Sequence, residues 1–180
     1  MKYIALIRGI NVGGKNIIPM KQLQSAIADA GFANVTTYIQ SGNVIFESKE
    51  SSCKIIAKKL ESVILQIFGC ETRVVVMPAK QIGQIVREAP ENWHKRQDIR
   101  KYVAFVIPDV TIPEVMVEIV PRAGVDELHT GEGVLYMTIL LSAITKSNIS
   151  KLSTKKFYKL LTIRNFNTVC KLSELASGQW

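Results

Sequence analysis

The chain has 180 residues, a formal net charge of +8 and a hydrophobic content of 47%, which is ample for a globular protein with one domain or two small ones. The longest nearly apolar run, residues 134–144, is interrupted by Thr138 and Ser142. It is far shorter than the roughly 18 to 20 residues that span a bilayer, so the composition excludes a transmembrane segment and we expect no membrane partner.

The positive charge is concentrated in the last quarter of the chain. No Asp or Glu lies between Gly133 and Ser173. The same stretch carries these basic residues: Lys146, Lys151, Lys155, Lys156, Lys159, Arg164 and Lys171. Such a surface attracts nucleic acid, nucleotides and other anions, although charge alone selects none of them.

The cysteines indicate a reducing environment. Cys53, Cys70 and Cys170 are odd in number and show no CxxC spacing, which favours free thiols and a cytoplasmic protein. His94 and His129 have no neighbouring Cys or carboxylate at ligand spacing. We therefore expect no metal site.

The first predicted elements are a strand over residues 3–7, a glycine-rich loop over residues 8–16 and a helix that follows. Pro19 suits the first helical position, where a missing N–H is harmless. Gly31 stands where a left-handed C-terminal cap belongs, and Phe32 can close that cap against Ile27.

A β-hairpin and a long helix come next. Residues 34–40 and 43–47 alternate as strands on either side of a two-residue turn at Ser41 and Gly42. Ser52 can cap a helix that ends at Gly69, and residues 72–77 form a valine-rich strand. The inward residues of the helix are expected to be Ile56, Leu60, Val63, Ile64 and Ile67.

The resulting order β-α-β-β-α-β is that of a ferredoxin-like unit. Its first two strands run parallel, so loop 8–16 should lie beside residues 40–43 at one sheet edge, joined by the loop at residues 69–71. A short helix over residues 79–88 then leads to Pro90, which marks a boundary between halves.

The second half shows a similar order. The pattern predicts strands over residues 102–107, 126–129 and 134–141, and helices over residues 113–120, 153–161 and 168–176. We thus predict an α+β protein with two ferredoxin-like halves, residues 1–90 and 91–180. Largely antiparallel sheets are covered by helices, and extra C-terminal helices take the place of the last strand.

Residues 9–16 nearly match the phosphate-binding pattern G-x-x-x-x-G-K-[ST], but Asn16 replaces the hydroxyl that would ligate magnesium. Pro19 also starts the helix some four residues too late for a phosphate held on its N-terminus. Two interpretations remain: an anion site built from backbone N–H groups, Arg8 and Lys15, or a plain tight turn with a solvated lysine. The candidate ligand-binding residues at this edge are Arg8, Asn11, Gly13, Gly14, Lys15, Asn16, Gln40, Ser41 and Asn43.

A second candidate site lies in residues 162–169. Asn167 or Thr168 could cap the last helix, whose N-terminus would then attract an anion with help from Arg164 and Asn165. Alternatively, Arg164 pairs with an internal carboxylate. No nucleophile motif or catalytic constellation is present, and no cofactor can be named.

Three strings, residues 6–16, 38–44 and 162–172, together resemble the bacterial family known as domain of unknown function 1697. In that family the last motif usually reads T-x-R-N-W-N-T-V, whereas Phe166 stands here in place of the tryptophan. The resemblance implies a two-part α+β protein with ferredoxin-like halves, and it implies no reaction.

The leading functional hypothesis is a protein that binds a small anionic ligand, a phosphate-bearing metabolite or nucleotide, between the two halves. Arg164, Asn165 and Asn167 would complete that site from the second half. The alternative is a nucleic-acid-binding module that uses the basic last quarter, although the RNA-binding string of ferredoxin-like domains is missing. An enzyme of unidentified reaction class is the third hypothesis.

Overall fold

The computed structural model describes residues 1–178. They form two compact units, residues 1–83 with the end of the chain from Lys171, and residues 84–170. The predicted division at residue 90 gave the whole last helix to the second half. Its residues from Lys171 instead belong to the first unit, where Lys2 Nζ donates to Ala176 O at 3.0 Å.

The first unit is a four-stranded antiparallel sheet in the order β2-β3-β1-β4, with two helices. Its elements are β1 (Lys2–Ile7), α1 (Met20–Asp29), β2 (Ala33–Tyr38), β3 (Asn43–Glu47), α2 (Cys53–Phe68) and β4 (Val74–Pro78). Leu23, Ile27, Leu60 and Ile64 of the helices are buried in one core with alternate residues of the sheet. The predicted ferredoxin-like order is therefore present.

The helix ends follow local sequence signals. Gly31 has φ +90°, its N–H donates to Ala28 O at 2.8 Å, and the Phe32 N–H donates to Ile27 O at 3.4 Å, which is the Schellman arrangement. Ser52 caps α2, and Gly69 ends it with φ +63°, so these three predictions are confirmed. Pro19, however, is the residue before α1 rather than its first residue.

Two further predictions about the first unit are wrong. Ile67 is 56% exposed because it faces the polar outer side of α1 rather than the sheet. The hairpin connection has four residues, 39–42, instead of two, since β2 ends at Tyr38 and pairs there with Asn43. Gly42 is required in this connection, because an added Cβ would lie 3.0 Å from the side chains of Ile7 and Ile10.

The second unit repeats the strand order as β6-β7-β5-β8, again antiparallel. After α3 (Ala79–Arg87) come β5 (Ile99–Val106), α4 (Ile112–Met116), β6 (Asp126–Gly131), β7 (Val134–Leu140), β8 (Leu161–Asn165) and α5 (Phe166–Ser177). A 3₁₀ helix, Glu91–His94, precedes β5. No helix within residues 1–178 is both long and apolar enough to cross a membrane.

The C-terminal part of this unit differs from the prediction. Segment 141–160 contains three 3₁₀ helices, Leu141–Lys146, Ile149–Thr154 and Lys156–Leu160, in place of the predicted helix over residues 153–161. Ser and Thr side chains compete for backbone hydrogen bonds and disfavour a regular helix. The fourth strand, which the prediction omitted, is β8; it pairs with β5 and completes the sheet.

Candidate functional site

Loop 8–16 folds back on itself as a miniature hairpin. The Asn11 N–H donates to Asn16 O at 3.0 Å and the Lys15 N–H donates to Val12 O at 3.2 Å. Gly13 and Gly14 form the tip with φ +61° and +72°, as a type I′ turn requires. No helix begins at Lys15, which confirms that this loop is not a P-loop.

Asn11 and Asn16 hold this hairpin in place. Asn11 Nδ2 donates to Ile18 O at 3.0 Å and to Gln40 O at 2.9 Å, and its Oδ1 accepts from the Ile18 N–H at 2.7 Å. Asn16 Nδ2 donates to Gly9 O at 3.1 Å. Both side chains, which were predicted to contact a ligand, thus shape the loop from within.

The predicted meeting of loops at one sheet edge is confirmed. Besides the Asn11 contact to Gln40, the Ile7 N–H donates to Gly42 O at 2.8 Å. Thr72 Oγ1, just before β4, donates to Arg8 O at 2.6 Å. We call this surface, formed by loop 8–16, residues 39–43 and Thr72, the loop edge.

Asn43 is the most deeply buried candidate residue of the loop edge. It is 0% exposed, and its Nδ2 donates to Tyr38 O at 3.1 Å and to Ser41 Oγ at 2.9 Å. Because it is fully buried, Asn43 holds the hairpin connection and does not face a ligand. The prediction of a ligand contact for this residue is therefore corrected.

Left-handed backbone is concentrated at the loop edge. Four non-glycine residues within 1–178 have positive φ, and three of them, Asn11, Asn16 and Ile39, lie at the loop edge. Ile39 has φ +49° and is 50% exposed. A β-branched residue in this conformation is a genuine outlier that costs about 1–3 kcal/mol. No sequence pattern indicates it, because isoleucine is normal in strands and unexpected in left-handed turns.

The accessible groups of the loop edge are few. Lys15, Gln40 and the glycine pair are exposed, and a Cβ added to Gly13 or Gly14 would meet no atom within 4 Å. Lys15 forms no ion pair within residues 1–178. A ligand could therefore approach the backbone at the tip of loop 8–16 beside one free ammonium group.

The second candidate motif lies in the second unit. Arg164 is 8% exposed, its Nη1 donates to Ile163 O at 2.9 Å, and burial lowers the pKa of its guanidinium to about 10. Asn165 is exposed, and its Oδ1 accepts from the Asn167 N–H at 2.9 Å. The cap of α5 is therefore Asn165, not Asn167 or Thr168 as predicted, because β8 runs directly into the helix.

Aromatic residues near this motif belong to the core of the second unit. The Phe166 ring lies 4.8 Å from the Trp93 ring, edge to face. Trp93 is 1% exposed and its Nε1 donates to Thr138 Oγ1 at 2.8 Å. Trp93 therefore packs in the core and offers no exposed face on which a base could stack. Trp180 lies outside the described residues.

A metal site depends on the clustering of ligating side chains, and the reactivity of a thiol depends on the burial of its cysteine. No group of three or more His, Cys, Asp or Glu side chains in that range could hold a metal ion. Burial raises the pKa of the Cys53 and Cys70 thiols, which lowers the thiolate fraction and hence their reactivity.

The model of the family described as protein of unknown function (DUF1697) matches residues 1–136. The chain belongs to this family. The structure is also similar to that of the conserved bacterial protein SP0830 from Streptococcus pneumoniae, with 25% sequence identity and a TM-score of 0.86, covering 97% of this chain and 98% of the other. Among curated proteins, none matches the chain.

The DUF1697 match contains the whole loop edge, whereas Arg164, Asn165 and Asn167 follow its last residue. The similarity to SP0830 extends over both units and supports the α+β architecture with two four-stranded sheets. Neither finding names a ligand or a reaction.

Proposed function

We propose that the loop edge of the first unit binds a small anionic ligand, a phosphate-bearing metabolite or a nucleotide. The observation that carries this proposal is the left-handed backbone concentrated there, at Asn11, Asn16 and Ile39, of which Ile39 is strained. Strained backbone persists only where surrounding contacts enforce it, and it clusters at binding sites and active sites.

The contacts of the loop suggest how the ligand would be held. Asn11 and Asn16 fix the hairpin before any ligand arrives, so little entropy is lost when the ligand binds. The open backbone at Gly13 and Gly14 allows close approach of a phosphate, and Lys15 supplies a positive charge. Arg8 lies at the base of the same loop.

Thermal shift titration tests this proposal. The full chain is heated at low ionic strength with ATP, ADP, ribose 5-phosphate or inorganic phosphate, since a ligand that binds only the folded state raises Tm. We expect a rise with at least one compound, which Lys15→Ala reduces. The matched variant Lys58→Ala, which removes another exposed lysine of the same unit, keeps the full rise.

Two results would contradict the proposal. One is the absence of a shift with every phosphate compound at millimolar concentration. The other is an equal shift in Lys15→Ala and the unchanged chain, which would move the binding site away from the loop edge.

A second candidate function, nucleic-acid binding, is favoured by the surface of segment 141–160. The segment contains no carboxylate side chain. Its five lysines are all exposed: Lys146, Lys151, Lys155, Lys156 and Lys159. Phosphate contacts release counterions, so affinity for mixed oligonucleotides should fall steeply as salt rises. Binding that is undetectable or independent of salt would remove this candidate.

A further inference from the structure

We infer that the second unit contains a binding pocket for a small monocarboxylate with an apolar body, beneath segment 141–160. The cavity has a volume of about 350 Å³, within the range of roughly 300–1,000 Å³ that small-molecule sites occupy. Its lining residues all belong to the second unit, whereas the loop edge belongs to the first. The inference therefore stands apart from the function proposed above.

The cavity exists because the helical cover of this sheet is thin. Helix α4 has five residues, and segment 141–160 contains only short 3₁₀ helices. Side chains of the sheet and of these helices form its floor and walls: Tyr102, Met137, Ile139, Leu152, Tyr158 and Ile163.

The lining is suited to an apolar ligand body. Tyr102, Tyr158 and Ile163 remain only partly buried, so a hydrocarbon chain or ring that covered them would remove apolar surface from water. The two tyrosines also give flat surfaces against which such a group can pack.

The mouth of the cavity favours a negative charge. Arg100 lines it, is exposed, and makes no ion pair within residues 1–178. A carboxylate can accept two parallel hydrogen bonds from one guanidinium. Asn165 also lines the mouth; its Oδ1 accepts from the Asn167 N–H, which leaves the Nδ2 hydrogens to donate to a ligand.

The charges near the cavity disfavour a cationic ligand. No Asp or Glu lines the cavity. The exposed Lys151 and Lys155 of segment 141–160 add positive potential without a carboxylate in that segment to offset it. A ligand with a single carboxylate and an apolar body could contact both the apolar lining and the Arg100 guanidinium.

Calorimetric titration of the full chain with octanoate tests the inference, with octanol as the uncharged match. We expect one octanoate per chain and at least tenfold weaker binding of octanol. Arg100→Ala should weaken octanoate binding about tenfold, because one charge-assisted contact is lost. The matched variant Arg87→Ala, an exposed arginine that does not line the cavity, should bind as the unchanged chain does.

A second variant tests the location without disturbing the core. Ser153 lines the cavity and is exposed, so Ser153→Trp should block the cavity and leave the fold intact, which circular dichroism checks. We expect this variant to bind no octanoate. Undiminished binding in Ser153→Trp, equal binding of octanol and octanoate, or no saturable octanoate binding would each overturn the inference.

Discussion

The two units share one strand order and differ in what covers the sheet. In the first unit, α1 has 10 residues and α2 has 16, and their apolar faces share one buried core with the sheet. In the second unit, α4 has five residues and the second helix is replaced by segment 141–160. The same strand order is thus compatible with different covers, and the thinner cover of the second unit borders a cavity.

Polar side chains explain how the thinner cover is held. The buried Asp126 carboxylate accepts from Ser147 Oγ at 2.5 Å, and from the N–H groups of Arg122 at 3.0 Å and Asn148 at 2.8 Å. The first unit orders its helices by apolar packing instead. We therefore expect the two units to respond differently to loss of apolar and of polar contacts.

The largest loss of stability should come from a residue in the buried face of α2 in the first unit. Leu60 is fully buried in α2, so Leu60→Ala leaves a cavity that neighbouring side chains cannot fill. The expected loss in the free energy of unfolding is about 4 kcal/mol, measured by urea denaturation. The exposed Leu65 of the same helix provides a control, since Leu65→Ala should cost less than about 1 kcal/mol.

Asp126→Ala should have the next largest effect. The change leaves several buried donors without a partner. The expected loss in the free energy of unfolding is about 3 kcal/mol. Hydrogen exchange of the amides in segment 141–160 should accelerate more than that of α2. Glu132→Ala, an exposed acid in the same unit, is the control. Unchanged exchange in segment 141–160 would show that Asp126 does not hold it.

Leu152→Ala should lower the free energy of unfolding less than Leu60→Ala does, although each change truncates a buried leucine to alanine. Leu152 already borders an open cavity, so the space left by its truncation joins a volume that is accessible to water. We expect a loss of about 2 kcal/mol in the same urea measurement. Equal costs at the two positions would contradict the difference in cover.

The smallest expected effect is a gain in the free energy of unfolding instead of a loss. Ile39→Gly removes the strain of a β-branched residue at positive φ while losing little buried surface. Relief of strain should outweigh the greater freedom of the unfolded glycine and raise stability by up to about 1 kcal/mol. Ile39→Val keeps the branched Cβ and should give no gain in Tm.

Features with local causes could be predicted from the sequence. The caps at Gly31, Ser52 and Gly69 depend on residues within one or two helical turns, and all three are present. The meeting of loop 8–16 with residues 40–43 followed from the strand order alone. The fold class was also predictable, because the periodicity of apolar residues distinguishes helices from strands and indicates which face of each is buried.

Features with distant causes could not be predicted. Strand β8 is only five residues long and depends on pairing with β5, far away in the chain. The burial of Asn43 and the positive φ of Ile39 follow from a four-residue connection that the sequence did not distinguish from a two-residue turn. Because strand β8 was not predicted, its alternation was not predicted either, and this alternation places Arg164 in a buried position and Asn165 in an exposed one.

A single titration tests the difference between the units most directly. Amide resonances of the isotope-labelled full chain are followed by NMR as octanoate is added. We predict shifts at Leu152, Tyr158 and Ile163, which line the cavity of the second unit, and none at Gly13 and Gly14 of the first. Shifts confined to the first unit, or the absence of any shift, would contradict the conclusion that the thin cover of the second sheet creates a ligand pocket.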